Sequence, residues 1–349
     1  MTIRIPPIYI VHLLLALVAV FADSPLVNAG GFENYDLSLR LPAALSRFSP
    51  YSDVAGIGGA SAGSRWSSSI NPASTAWQNV PGDLHLDPSV QYSAILFDHG
   101  PTLNVVAESL TWQSPGFGTF QPSAAQAFSG TAPTRLGLDM NLTLDQGQLQ
   151  WADKIGDNWA VGANFNYASS DLNFKAGPLT ASKSHSDTYD FRFGVLNQPM
   201  EHLLLGLVAD YGFSPSHTTI YDIQGLGFGI LDSYDVTHQV HIRPGMSYEY
   251  LKDSVVYFDY QYGIIINRTG QLETHDFFFG ADQRVYQWLF VRAGMAVETR
   301  GNLSGTAGLG IYPNNVFTID IGYQFNMFPE LRPELGGSQL IGISVAIAF

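Results

Sequence analysis

The chain of 349 residues has no cysteine. No disulfide can hold it, and zinc-thiolate or cysteine-nucleophile chemistry is excluded. Charge is also scarce: charged residues make up 13% of the chain, about half the roughly 25% usual in soluble domains. Positive charge is scarcest, with 16 Lys plus Arg against 30 Asp plus Glu and a formal charge of -14. Without a basic face to displace counterions from phosphate, nucleic-acid binding is set aside. After the N-terminal region no apolar run reaches the ~18 residues of a membrane-spanning helix, so helical spans are excluded there. Glycine, by contrast, reaches 35 residues and aromatics 13%.

The N-terminus has Arg4 followed by an apolar stretch from Ile8 to Ala22, broken only by His12, and then Val27-Asn28-Ala29. A basic end, a short apolar core and small residues at the cleavage positions form an export signal over residues 1–29, with Gly30 as the expected mature start. A cut after Ala22 also satisfies the pattern.

Beyond it, apolar and small polar residues alternate. Leu136, Leu138, Met140, Leu142 and Leu144 interleave with Gly137, Asp139, Asn141, Thr143 and Asp145. Period two puts the sets on opposite faces of a strand. Similar segments start at Tyr189, Val236, Leu289 and Phe317, and their wet faces carry Gly, Ser, Thr and isolated charges rather than Lys and Glu. Such a face suits a confined lumen, with the apolar face toward lipid. The expected fold is therefore all-β, a transmembrane antiparallel barrel.

Candidate strands lie near 84–97, 102–113, 134–151, 158–175, 185–197, 202–213, 234–250, 254–268, 272–283, 288–299, 304–312, 315–328 and 338–349. Single-chain bacterial barrels have an even number of strands, so fourteen are expected, with Tyr35 to Leu41 as the missing one, and twelve as the alternative. Residues 114–133 and 214–233 read as long outer loops, in which Trp112, Phe117, Phe120 and Phe128 are candidates for hydrophobic capture. Aromatics at strand ends, among them Trp151, Trp159, Tyr257, Trp288 and Phe328, read mainly as interfacial girdle.

Ile341, Ile343, Val345, Ile347 and Phe349 alternate with small residues. An aromatic last residue resembles the signal by which outer-membrane barrels are recognised, implying the barrel-assembly machinery and outer-membrane lipid as partners. Residues 30–81 alternate little. They hold the run Gly56-Ile57-Gly58-Gly59-Ala60-Ser61-Ala62-Gly63 and then Asn71-Pro72-Ala73. With the hairpin around Asp157-Asn158-Trp159, these features resemble the long-chain fatty-acid and aromatic-hydrocarbon transporter family of outer-membrane barrels. Ser74 stands where that family usually continues with Gly. The resemblance implies an N-terminal plug over 30–81, with Gly58, Gly59, Asn71, Pro72 and Ala73 as plug residues, a barrel over 82–349, and passive uptake of a hydrophobic small molecule across the bacterial outer membrane.

The inward charges expected from alternation are Asp139, Asp190, Arg192, Asp210, His241, Arg243, Glu249, Asp259, Arg292, Glu298 and Asp320. Pairing with one another and with the plug is one role for them; an arginine holding a ligand's carboxylate is another. Gly59-Ala60-Ser61-Ala62-Gly63 matches a nucleophile-elbow spacing but lacks the strand before it and the helix after it. His238 and His241, three apart on one strand, face opposite sides and cannot chelate together. Neither cofactor nor metal nor enzymatic role is expected; a plugged scaffold barrel and a lipid-modifying enzyme are the alternatives.

Overall fold

The computed structural model describes residues 32–47, 57, 59–64, 70–77, 85–114, 116–221, 230–300, 302–313 and 316–347. The export signal, Gly58 and Phe349 lie outside them.

Fourteen long strands form the wall: β1 (His85–Phe97), β2 (Leu103–Ser114), β3 (Gly118–Ser129), β4 (Asp139–Ile155), β5 (Trp159–Ala176), β6 (Leu179–Met200), β7 (Leu203–Ile220), β8 (Leu231–Leu251), β9 (Ser254–Asn267), β10 (Gly270–Tyr286), β11 (Leu289–Glu298), β12 (Asn302–Ile311), β13 (Phe317–Phe325) and β14 (Ser338–Ile347). Each pairs antiparallel with its neighbours in sequence, and β14 closes the ring on β1, with Tyr92 opposite Ile343. The two-residue segment Ala132–Pro133 adds a short bridge to β4. Closure leaves no unpaired sheet edge, which a lipid-facing sheet requires.

The strand count matches the expectation, but the missing member is elsewhere. Tyr35 to Leu41 is not a strand: Asp36 accepts a hydrogen bond from the Ser38 amide at 2.9 Å and caps the helix α1 (Leu37–Arg47). The fourteenth strand is instead β3, inside the supposed loop 114–133. Likewise, β7 and β8 take up half of the supposed loop 214–233.

Antiparallel connectivity puts the connections at 115–117, 156–158, 201–202, 252–253, 287–288 and 312–316 on the rim where β14 ends, here the near rim. The longer connections at 130–138 and 326–337 lie on the far rim, where β7 ends and β8 begins, with the short turns of that end. The segment 326–337 carries a 3-10 turn (Pro329–Leu331) and the one-turn helix α2 (Arg332–Leu335).

Outward side chains form two aromatic belts. Trp112, Trp151, Trp159 and Trp288 stand near one rim, while Tyr167, Tyr189, Tyr211 and Tyr260 stand toward the other. Trp159 and Tyr167 are eight residues apart on β5, which at ~3.3 Å per residue and a tilt of ~40° gives roughly 20 Å of height. That approaches the roughly 25 Å apolar band of outer-membrane barrels. Beyond the upper belt the outward residues turn polar, with His185 between Asp171 (3.1 Å) and Asp187 (3.5 Å), and His217 beside Asp232 at 3.5 Å. Strands β5 to β8 thus continue past the band into a watery setting. Two residues expected in the girdle lie elsewhere: Tyr257 is buried with Ile57 and Phe278, and Phe328 is buried inside the far rim.

Candidate functional site

Along β4, even-numbered residues face the lumen from end to end: Met140, Leu142 and Leu144 near the far rim, then Gln146, Gln148 and Gln150. The outward set runs Asp139, Asn141, Thr143 and Asp145, then Gly147, Leu149 and Trp151. The polarity of the two faces therefore inverts midway along one strand. Alternation assigns residues to two faces but does not say which face is inside. The expectation that the leucines of β4 meet lipid and Asp139 meets the lumen is corrected accordingly: Met140 lines the interior, so Asp139 points outward.

On the neighbouring strands the inward face also turns apolar toward the far rim, while the outward face turns polar on β5 and keeps Leu96, Val106 and Phe128 on β1 to β3. Ile95 and Phe97 on β1, Leu103 and Val105 on β2, Ala125 and Ala127 on β3, and Leu172 and Phe174 on β5 all face inward. Together with α1 and the 326–337 segment they enclose a cavity of about 320 Å³. Its roof comes from α1 (Leu37, Leu41) and from Phe328, Leu331 and Leu335. Helix α1 has a second apolar face, Leu39 and Ala43, which packs on Ile265 and Leu272 of β9 and β10. Its position is fixed by Arg40, whose guanidinium reaches the Glu334 carboxylate at 2.8 and 2.5 Å and the Glu330 carbonyl at 2.9 Å. Nothing in the local pattern around Arg40 or Glu334 marks them, because their pairing spans nearly the whole chain.

The capture candidates lie outside this cavity. Trp112 is on β2, Phe120 and Phe128 are on β3, and all three belong to the outward set. Phe117 sits in a near-rim turn, 73% exposed, and its carbonyl accepts the Trp151 indole N–H at 2.9 Å. Three of the four are rim aromatics and Phe128 faces outward near the far end.

The other charges face inward, and all but Asp190 take part in hydrogen bonds or ion pairs. Asp210 accepts from His241 Nδ1 at 2.7 Å, with Arg192 Nε 4.0 Å from its other oxygen. Asp190 and Arg192 line the cavity with them. Arg292 bridges Asp282 at 3.1 Å and Asp320, and Glu298 pairs with Arg300 at 2.7 Å. Glu249, near the rim, accepts the Asp253 amide at 2.9 Å.

Asp259 joins the wall to the N-terminal segment. One oxygen, Oδ2, accepts from the Ser61 and Ala62 amides at 2.8 Å each and from Arg243 at 3.0 and 2.9 Å. Arg243 also donates to the Gly59 carbonyl and lies 4.0 Å over the Phe278 ring. Asn71 is fully buried. Its amide donates to the Ala62 carbonyl at 2.7 Å and to the Val195 carbonyl of β6 at 3.1 Å, while its oxygen accepts from the Ala73 amide at 3.0 Å. Pro72 then opens a 3-10 helix (Pro72–Trp77) packed on β4, β5 and β6.

Sequence reasoning missed the glycines that make this docking feasible. A Cβ on Gly162 would lie 2.5 Å from the Ala73 nitrogen, one on Gly194 would strike the Asn71 side chain, and one on Gly206 would strike the Ala62 carbonyl. Gly162 is opposite Gly194, and Gly206 is opposite Gly245. The row becomes visible only once register is known.

Replacing Asn71 with Ala would leave the Ala62 and Val195 carbonyls without their donor. At about 1–3 kcal/mol for an unsatisfied buried group, the segment should loosen while the barrel persists. The expected result is unchanged heat-modifiable migration on gels with a noisier, higher single-channel conductance.

No family model matches the sequence, and no curated protein matches it. Solved structures do. The toluene transporter TbuX of Ralstonia pickettii aligns with a TM-score of 0.60 and 13% identity over 86% of this chain and 97% of that one. The toluene transporter TodX of Pseudomonas putida gives 0.56 and 12% over 86% and 98%. A Pseudomonas aeruginosa FadL homologue gives 0.51 and 12% over 88% and 96%. At these identities the likeness is one of fold, and it spans nearly the full length of each neighbour.

Proposed function

We infer that the chain is a channel of the bacterial outer membrane for passive uptake of hydrophobic small molecules, with the N-terminal segment serving as its plug. The observation that carries this reading is the apolar lining that β1 to β5 turn inward near the far rim, matched on β4 and β5 by a polar outer face, which builds a cavity under α1. A barrel serving only as a scaffold gains nothing from an apolar chamber within a polar lumen, since buried empty apolar space forfeits packing contacts. The fold neighbours include toluene transporters, which supports the same reading. The near rim, with its short turns and the end of β14, is then periplasmic. Lipid contacts the outward band, and assembly falls to the barrel-insertion machinery.

Transport of this kind needs no covalent chemistry. Apolar surface leaving water supplies about 25 cal/mol per Å², enough for an apolar molecule to collect beneath α1. Passage onward requires the plug to shift, because Asn71 to Trp77 and Ser61 to Gly63 lie against the wall below the cavity.

Filling the cavity tests this. Ala125→Trp places an indole in the chamber and should lower uptake of radiolabelled toluene into proteoliposomes by about tenfold or more, while gel migration stays that of a folded barrel. Unchanged uptake would show that the cavity is not on the route.

A further inference from the structure

Toward the roof, beyond Ser123 of β3 and Gln146 and Gln148 of β4, the cavity has two walls of opposite chemistry. On β1 to β4 and the roof it is aliphatic, with Ile95, Val105, Ala127, Leu142, Leu144 and Leu331. Across from them, β6 to β8 present Ser184, Thr188, Ser214, Ser216, Thr218 and Thr237. This hydroxyl wall is only partly occupied with itself. Ser184 Oγ meets Thr218 Oγ1 at 2.9 Å, and Thr188 Oγ1 meets Ser214 Oγ at 2.8 Å. Each hydroxyl carries one donor and two lone pairs, so each such pair keeps a donor and several acceptor sites for a further partner. Deeper on the same side, Asp190 Oδ1 and His241 Nε2 are buried without any hydrogen-bond partner. Asp190 is 7% exposed and His241 2%.

A plain hydrocarbon could cover the aliphatic wall, but it would also strip water from the hydroxyl wall and return nothing, which is unfavourable for every group left unpaired. A molecule with a single polar end satisfies that wall at one point only. The fit is a rigid body with one apolar face and several hydroxyls spread along the opposite face. The head region argues against a preference for anions: among the lining residues the carboxylates of Asp190 and Asp210 stand beside the single guanidinium of Arg192 and the imidazole of His241, so no cation there is left over for an anionic ligand.

We propose that the cavity selects facially amphipathic, hydroxylated molecules, the aliphatic strands β1 to β4 binding one face and the Ser/Thr wall of β6 to β8 the other. This rests on the channel reading and narrows it from hydrophobic molecules in general to one substrate class.

The test uses the full chain in lipid nanodiscs and two neutral steroid alcohols that share one skeleton and one terminal hydroxyl, only one of them carrying three further hydroxyls on a single face. The hydroxylated steroid should bind at least about tenfold more tightly than its bare counterpart, since a site built to hydrogen-bond hydroxyls discriminates strongly against their absence. Thr188→Val combined with Thr218→Val, near-isosteric changes checked by heat-modifiable migration, should abolish that preference by weakening the hydroxylated steroid and tightening the bare one. Equal binding of the two steroids, tighter binding of the bare one, or a preference that survives the valine pair would overturn the proposal. Uptake into proteoliposomes separates the two levels. If toluene and both steroids enter alike, the channel stands and the selectivity fails; if none enters, both fail.

Discussion

Changing Asp259 to Ala should free the N-terminal segment from the wall and open the barrel to small ions. Asp259 and Arg243 are almost fully buried, their side chains 0% and 4% exposed. The carboxylate gathers two backbone amides of the segment and both guanidinium contacts. Its loss leaves the Ser61 and Ala62 amides unsatisfied. Arg243 keeps the Gly59 carbonyl, the Gln261 oxygen, the Phe278 ring and the more distant Asp276 carboxylate for a charge that remains buried. Breaking a buried ion pair by removing one partner costs about 3–5 kcal/mol, whereas replacing both partners with apolar groups of similar volume is often neutral. Asp259→Ala should therefore lower the temperature at which the folded gel band is lost and raise single-channel conductance. Arg243→Met with Asp259→Leu should recover much of the thermal loss without restoring the link to the segment, so its conductance stays high. Wild-type conductance in Asp259→Ala would mean that this contact does not hold the segment in place.

The architecture was legible in the sequence because period-two alternation survives in most strands, and the even-number rule exposed a missing one. Its location was not legible. In β3 the inward set is Thr119, Gln121, Ser123, Ala125 and Ala127, and between the outward Phe120 and Phe128 the other face carries Pro122, Ala124 and Gln126, so small and polar residues fall on both faces through the middle of the strand. Tyr35 to Leu41 alternates by coincidence. Leu37, Leu41 and Ala44 share one side and Leu39 and Ala43 another, the i, i+3, i+4 spacing of a helix with two buried faces.

At the site the same limit applies with larger consequences. Alternation in β4 defines two faces, yet which face is inside depends on the medium beyond the wall. Below the upper aromatic belt that medium is lipid, and Leu149 and Trp151 point out. Above it the medium is water, and Leu142 and Leu144 point in. A single strand thus obeys one burial rule twice, with opposite outcomes. Arg40 and Glu334, or Asp259 and Ser61, lie too far apart in sequence for any local pattern to join them. The wall glycines were counted among the 35 but could not be told from turn glycines until register placed Gly162 against Gly194 and Gly206 against Gly245.

Those glycines carry the other large expected effect. Gly206→Leu should expel the segment as thoroughly as deleting residues 31–75, although nothing in the segment itself is changed. The Gly206 Cα lies against the Ala62–Gly63 backbone, so even a methyl group would strike the Ala62 carbonyl, and a leucine cannot rotate away because the clash begins at Cβ. The strand itself tolerates the change: β7 keeps its ladder to Leu196 on one side and Gly245 on the other, and leucine loses less backbone freedom than glycine on entering a strand. Backbone and barrel closure therefore persist while the docking surface is lost. Both Gly206→Leu and the 31–75 deletion should show folded-barrel migration, raised single-channel conductance and raised sensitivity to small hydrophilic antibiotics, with less selective uptake of hydrophobic probes. Gly147→Leu on β4 is the matched control, since a Cβ there meets nothing within 4 Å. It should conduct like the unmodified chain. Low conductance in both Gly206→Leu and the deletion would mean that residues 59–64 and 70–77 rest against the wall without obstructing it, and the plug assignment would fall with the passage route drawn from it.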